Sequence, residues 1–232
     1  MEKHGFKQGK VRNGELTPYT RKELIYYAAF THQAASFSKL TEDPLCPVIN
    51  IDINTDIFWG ESSQKADMDD YLSHTEETEV FGIKVKRLTT IHDFIALCLH
   101  HYKDLNSLYL LWKRGISLST FCDIYYYLEK IPLDTQELKQ ICNKLNVAEY
   151  VYCSIFQTNI VFERSKLRKC LNELVPANAK SLHKRIGLSE NQYKQLPDFI
   201  ANYAFDENFH QVLDNLLTTE EIEQIKTNDL FL

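Results

Sequence analysis

Val48-Ile49-Asn50-Ile51-Asp52-Ile53-Asn54-Thr55-Asp56-Ile57-Phe58-Trp59 begins by placing a polar residue at every second position of an apolar stretch. Side chains alternate faces along a strand, so Ile51, Ile53 and Ile57 are expected on one face and Asp52, Asn54 and Asp56 on the other. Asp and Asn are poor strand formers, and their repetition among isoleucines has two readings. A divalent cation can sit over the acidic face, because hard cations such as Mg2+ take carboxylate oxygens. Alternatively the strand is half-buried and turns its polar face to water.

Working outward, the segment His32–Leu40 is expected to pair with Pro47–Phe58 across Thr41-Glu42-Asp43-Pro44 as an antiparallel hairpin. Upstream, Thr20–Phe30 has helix formers and apolar spacing with Pro18 near its start, although Tyr26, Tyr27 and Phe30 also suit a strand. Downstream come a short helical pattern near Asp69–His74 and an alternating segment, Val80–Leu88, arranged around Gly82 as a strand or hairpin. From Thr89 the periodicity becomes helical. Thr90–His100, Leu118–Leu128, Gln136–Leu145 and Val147–Phe162 read as buried helices whose short connections favour a bundle. Arg164–Lys169 reads as a solvated helix face, and further helices are expected near Asn191–Tyr203 and Glu207–Thr227. The fold class is therefore α+β and mostly helical, with a small antiparallel sheet followed by a helical bundle. The expected divisions are 1–88 for the α+β region, 89–175 for the bundle and 176–232 for a C-terminal helical subdomain.

With 232 residues, 44% of them hydrophobic, the chain can bury one sizeable core and a second small one. A formal charge of -6 argues against wholesale binding to nucleic acid or to a membrane surface. The N-terminus is too polar for a signal peptide and no apolar run is long enough to span a bilayer, so a soluble, cytoplasmic protein is expected. The six cysteines are dispersed without a C-x-x-C pair, and most fall inside apolar helical patterns, which suits reduced thiols acting as small buried hydrophobes.

The order of these pieces resembles a group of bacterial nucleotidyltransferases with a polymerase-beta-like head and a helical C-terminal half. Met1-Glu2-Lys3-His4-Gly5-Phe6 is similar to the family's helix end L-x-x-x-G-[FY], and Pro47–Trp59 to its strand V-[ED]-[LI]-H-W, with Asp52 on the acidic position. Gly82–Leu88, followed by Thr90-Ile91-His92-Asp93 and Leu97-Cys98-Leu99-His100, resembles G-x-x-V-x-x-L-s-x-E-D-x-L-x-x-L-C-x-H. Phe121-Cys122-Asp123-Ile124 resembles the later helix L-C-D-[VI]. The resemblance covers about the first 160 residues.

It implies metal-assisted attack on the α-phosphate of a nucleoside triphosphate, in which carboxylates hold Mg2+ ions that activate the attacking oxygen and stabilise the leaving charge. Asp52 is the expected catalytic acid, with Asp52 and Asp56 as the expected metal ligands and Mg2+ as the cofactor of an active member. The family's upstream G-S…D-x-D segment has no counterpart before Asp52, and Asn54 replaces the histidine that follows the strand acid. The expectation is therefore an incomplete or inactive member acting as a binding or adaptor module. The alternative is an active enzyme whose site another chain completes. Loss of the upstream strands would leave an open sheet edge, covered by a second copy in a homodimer or by a protein partner.

Other residues carry weaker signals. Asp67-Met68-Asp69 has D-x-D spacing without a Gly-Ser turn and reads as a solvated helix start. His92 and Asp93 read as a polar helix start, and His100 as a structural histidine. Asp123, set among apolar residues, is expected in a buried polar cluster with His100, Lys103 or Arg114. The basic runs Arg164–Lys169 and Lys180–Arg185 lack the interleaved aromatics of a strand-binding groove, so nucleic acid is not an expected partner.

Overall fold

Asn13 and Gly14 reverse the chain first. Both are left-handed, at φ 52° and 79°, as a type I′ turn requires, and they join β1 (Lys7–Arg12) to β2 (Glu15–Pro18) as an antiparallel hairpin. The computed structural model describes residues 1–30, 33–60, 62–176 and 182–228. Its contacts divide the chain into two compact units, Met1–Met68 and Asp69–Leu232. Thr31, His32, Lys180 and Ser181 lie outside the described residues, and with them the starts of two of the expected segments.

In the first unit, α1 (Arg21–Phe30) opens on a reciprocal cap. The Thr20 amide donates to Glu23 Oε2 at 2.7 Å and the Glu23 amide to Thr20 Oγ1 at 3.3 Å, which satisfies two donors the helix leaves free. These bonds hold the Glu23 carboxyl below its ordinary pKa, with help from Lys10 at 3.2 Å. β3 (Gln33–Leu40) and β4 (Val48–Asn54) form the expected antiparallel hairpin, with a register shift between Ala34 and Phe37. The sheet order is β2-β1-β3-β4, so the acid-bearing strand is an edge. Isoleucines on that strand are only partly covered, Ile49 being 39% and Ile53 40% exposed.

α2 (Met68–Ser73) leads into the second unit, whose first elements are β5 (Thr75–Val80) and β6 (Ile83–Leu88). They pair across Phe81 and Gly82, again both left-handed, and the register sets Glu76 opposite Arg87, Glu77 opposite Lys86 and Glu79 opposite Lys84. Opposite charges across an antiparallel pair stabilise it.

The helices α3 (Thr90–Asn106), α4 (Leu108–Arg114), α5 (Leu118–Lys130), α6 (Thr135–Lys144), α7 (Ala148–Phe162) and α8 (Ser165–Leu174) follow. Their starts are written locally. Ser107 accepts the Leu110 amide, and Asp134 accepts the amides of Gln136 and Glu137 at 2.8 and 3.2 Å. α7 packs against α3, α5, α6 and α8 and against a 3-10 segment, Ile200–Phe205. Phe94, Ile95, Cys98, Phe121, Ile124, Leu138, Val151 and Ile155 are completely buried. Each large apolar side chain among them contributes roughly 1.5–3 kcal/mol by leaving water.

The rest of the second unit departs from expectation. A helix over Asn191–Tyr203 does not form; a 3-10 turn at Glu190–Gln192 is followed by β8 (Lys194–Gln195), which pairs with β7 (Arg185–Ile186), and then by the Ile200–Phe205 segment. Pro197 accounts for this, since it has no N–H and pushes the preceding residue out of helical geometry. The expected helix Glu207–Thr227 is two helices, α9 (Phe209–Leu216) and α10 (Thr219–Asn228). Thr218 breaks it by starting a second reciprocal cap with Glu221, at 2.8 and 3.2 Å. One apolar cluster joins Leu105, Leu108, Leu111 and Phe121 to residues of these later elements, among them Ile186, Ile200, Phe209 and Leu213. Buried Gln157 stitches the same regions together, donating to the His183 carbonyl at 2.7 Å and accepting the Ala201 amide at 3.1 Å.

Candidate functional site

Asp52 stands on β4 with Asn50 and Asn54 on the same face, by the alternation of the strand. The irregularity in β3 brings Ser36 within reach, and its hydroxyl donates to Asp52 Oδ1 at 2.5 Å. Ser38, almost completely buried, lies 2.8 Å from Asn50 Oδ1 and 2.9 Å from the Gly9 carbonyl oxygen. Tyr27 of α1 is close enough to Asp52 for the carboxylate to oppose ionisation of its phenol; burial and Tyr19 are the larger causes that raise that hydroxyl's pKa. Asp52 is thus an exposed carboxylate with one oxygen steadied by a serine and the other without a hydrogen bond among the described residues.

Asp56 is placed differently. β4 ends at Asn54, so Asp56 lies beyond the strand rather than on its polar face, and the expected row of three is cut to Asp52 and Asn54. Its Oδ1 accepts the Phe58 amide at 3.0 Å, and both of its oxygens lie 3.3 Å from the Ala66 amide. These bonds tie the loop that buries Phe58 and Trp59 edge to face. No group of three or more His, Cys, Asp or Glu side chains able to hold a metal ion occurs among the described residues. One free oxygen on Asp52, with both Asp56 oxygens taken by backbone amides, does not fit a pair of Mg2+ ions.

A second polar feature lies wholly within the second unit. A cleft of about 450 Å³ is lined by Asp70, His74, Thr89, His92, Glu137 and Lys144, among others. His92 is almost completely buried, stacks on His74 at 4.2 Å and 10°, and has its Nδ1 2.8 Å from Thr89 Oγ1. Burial lowers its pKa, reinforced by His74 and Lys144 and opposed by Asp70, which favours the neutral ring. Lys144 pairs with Asp70 at 3.0 Å. Against Lys144 the lining sets three carboxylates, Asp70, Glu76 and Glu137, so the cleft carries an excess of negative charge. The pattern Thr-x-x-His at a helix start was legible as a polar helix end, but the packing of His74 onto it was not.

The remaining expectations resolve simply. Asp123 is exposed, so no buried partner is needed; on α5 it faces away from the row Phe121, Ile124 and Leu128 that enters the core. His100 is exposed and 3.4 Å from Asp104. The fully buried histidine is its neighbour His101, which sequence spacing did not single out. Asp69 and Asp70 occupy the first turn of α2.

Small antiparallel sheets followed by a helical bundle agree with the α+β, mostly helical fold that the resemblance implies. Residues 1–163 match the model of a protein family described as an uncharacterised nucleotidyltransferase, and the chain belongs to that family. No curated protein and no solved structure gives a significant match. No helix among the described residues is long and apolar enough to cross a membrane.

Proposed function

We propose that this chain is a cytoplasmic binding or adaptor module built on the nucleotidyltransferase fold, and that it transfers no nucleotide by itself. The observation that supports this is the isolation of Asp52. Two-metal phosphoryl chemistry needs several carboxylates converging on the same ions, whereas Asp56 is spent on loop amides and no other acid joins the group among the described residues. What the described residues offer a partner is a sheet, a helical bundle and a polar cleft.

A second reading has its own support. Asp52 keeps a free oxygen on a strand at the sheet's edge, which is where a strand from another chain could bring further acids and restore a Mg2+-dependent transferase.

Labelled nucleoside triphosphates with Mg2+ or Mn2+ separate the two, offered to the purified chain alone and then with cell extract. No Asp52-dependent labelling in either arm is the expected result. Metal-dependent labelling in extract that Asp52→Ala abolishes would establish the completed-site reading instead. The same labelling by the purified chain would overturn the module outright.

A further inference from the structure

We infer that β4 is a self-recognition strand, and that two copies of this chain pair edge to edge through Val48–Asn54 about a two-fold axis at Ile51. This goes beyond the functional reading above and does not depend on it.

The sheet has two edges and they differ. β2 is four residues long and ends at Pro18, which has no N–H to give a neighbour. β4 is seven residues long and contains no proline, lysine or arginine, the residues that commonly protect an edge. Its outer side has no neighbouring strand among the described residues.

The sequence of β4 then selects both partner and register. When an antiparallel strand meets its own copy about an axis perpendicular to the sheet, each residue faces another on the same side of the pleat. Centring on Ile51 is the arrangement that pairs all seven residues. It sets Ile51 against Ile51, Ile49 against Ile53, and Val48 against Asn54. The half-exposed isoleucines, 39% and 40%, thereby cover one another. On the polar side it sets Asn50 against Asp52 of the partner subunit, twice.

That polar match is specific in its atoms. The single Ser38 hydroxyl hydrogen has the Gly9 carbonyl and the Asn50 side chain in reach, and whichever way the Asn50 amide is turned toward Ser38 at least one of its N–H groups is left to donate. Asp52 uses one oxygen on Ser36 and keeps the other to accept. Moving the axis one residue, to Asp52, would set carboxylate against carboxylate and lose an amide–carboxylate bond at each end. Like charges directly opposite one another destabilise a pair, so the strand discriminates between registers. The product is one continuous sheet made from two four-stranded ones.

Sedimentation equilibrium over roughly 1–100 μM tests the inference, since a single strand pair is a small interface and should give a concentration-dependent dimer. Asn50→Asp keeps an acceptor for Ser38 but faces each new carboxylate with Asp52 of the partner subunit, and should weaken the dimer at least about tenfold. Adding Asp52→Asn exchanges the two positions, recreates both matches and should restore it. Circular dichroism checks that each variant is folded. A register measurement stands beside these: in a Cys46→Ser background, Ile51→Cys should give an oxidised covalent dimer far faster than Asn50→Cys. A monomer at 100 μM, a dimer indifferent to Asn50→Asp, a double variant that fails to recover, or cross-linking without preference for position 51 would each overturn it.

Discussion

His101 gives the sharpest test of the fold, because the structure buries a titratable ring whose nitrogens meet no polar group among the described residues. Neither ring nitrogen has a hydrogen-bond partner among the described residues, and the ring meets the edge of Phe121 at 5.2 Å between α3 and α5. Burial, helped by His100, drives its pKa from an ordinary 6.5 down to about 3. The fold therefore accepts the neutral ring and rejects the charged one. Because the folded-state value is depressed, this contribution is fully present above about pH 6.5 and is lost as pH falls from there toward about 3. The loss amounts to roughly 2 kcal/mol at pH 5 and approaches about 5 kcal/mol once both states are protonated. His101→Leu keeps a similar volume and removes both stranded nitrogens. At pH 7.5 it should equal or exceed the parent in stability, by up to about 1 kcal/mol. Between pH 7.5 and 5 it should lose about 2 kcal/mol less than the parent does. Urea unfolding followed by circular dichroism reads this as a difference of about 1 M in how far the two midpoints move. Burial also lowers the pKa of His92 and His183, but those residues are common to both proteins and cancel in the comparison. Equal pH dependence in parent and variant would refute the reasoning, since it would mean the ring is hydrated or partnered in solution.

Two further substitutions probe positions where geometry leaves little freedom. Asp56→Ala removes the acceptor for the Phe58 and Ala66 amides and should cost about 1–3 kcal/mol in chemical denaturation, with greater acrylamide quenching of the loop residue Trp59. Gly187→Ala would place a Cβ 2.4 Å from the Gln192 carbonyl oxygen at a φ of 103°, so a loss of about 2 kcal/mol or more is expected, read as a lower urea midpoint.

Much of the architecture was legible where pattern and local chemistry agreed. The β3–β4 hairpin follows from alternating residues on either side of a turn, and α3, α5, α6 and α7 from apolar spacing. The first hairpin carried an equally plain signal in Asn13-Gly14, but its strands alternate weakly and face the solvent more than the core, so the hydrophobic pattern did not announce it. The two capped starts, Thr20 with Glu23 and Thr218 with Glu221, are local and readable; the second is what divides the tail into two helices. The site was harder. Asp52 was found because it interrupts isoleucines, yet its support comes from Ser36 through an irregularity that spacing does not show. Asp56 sits two residues further along the same alternation, but the strand ends before reaching it because its carboxylate binds the backbone of the following loop. At Asp123 and His101 the helical phase decided the matter: a shift of one position separates the exposed His100 from the fully enclosed His101.

The packing around α7 bears on what is inherited as a unit. The family match stops at residue 163, the residue that ends α7. Cooperative structure does not stop there: eight of the twelve residues in the cluster begun by Leu105 lie past that point, and both bonds of the Gln157 amide reach past it too. A lineage could not retain the recognisable first portion and discard the remainder without baring Leu108, Leu111 and Phe121 to solvent. Within Asp69–Leu232, the part before residue 163 and the tail should therefore exchange their slowest amide protons together, and substitutions on either side of that boundary should be felt on the other.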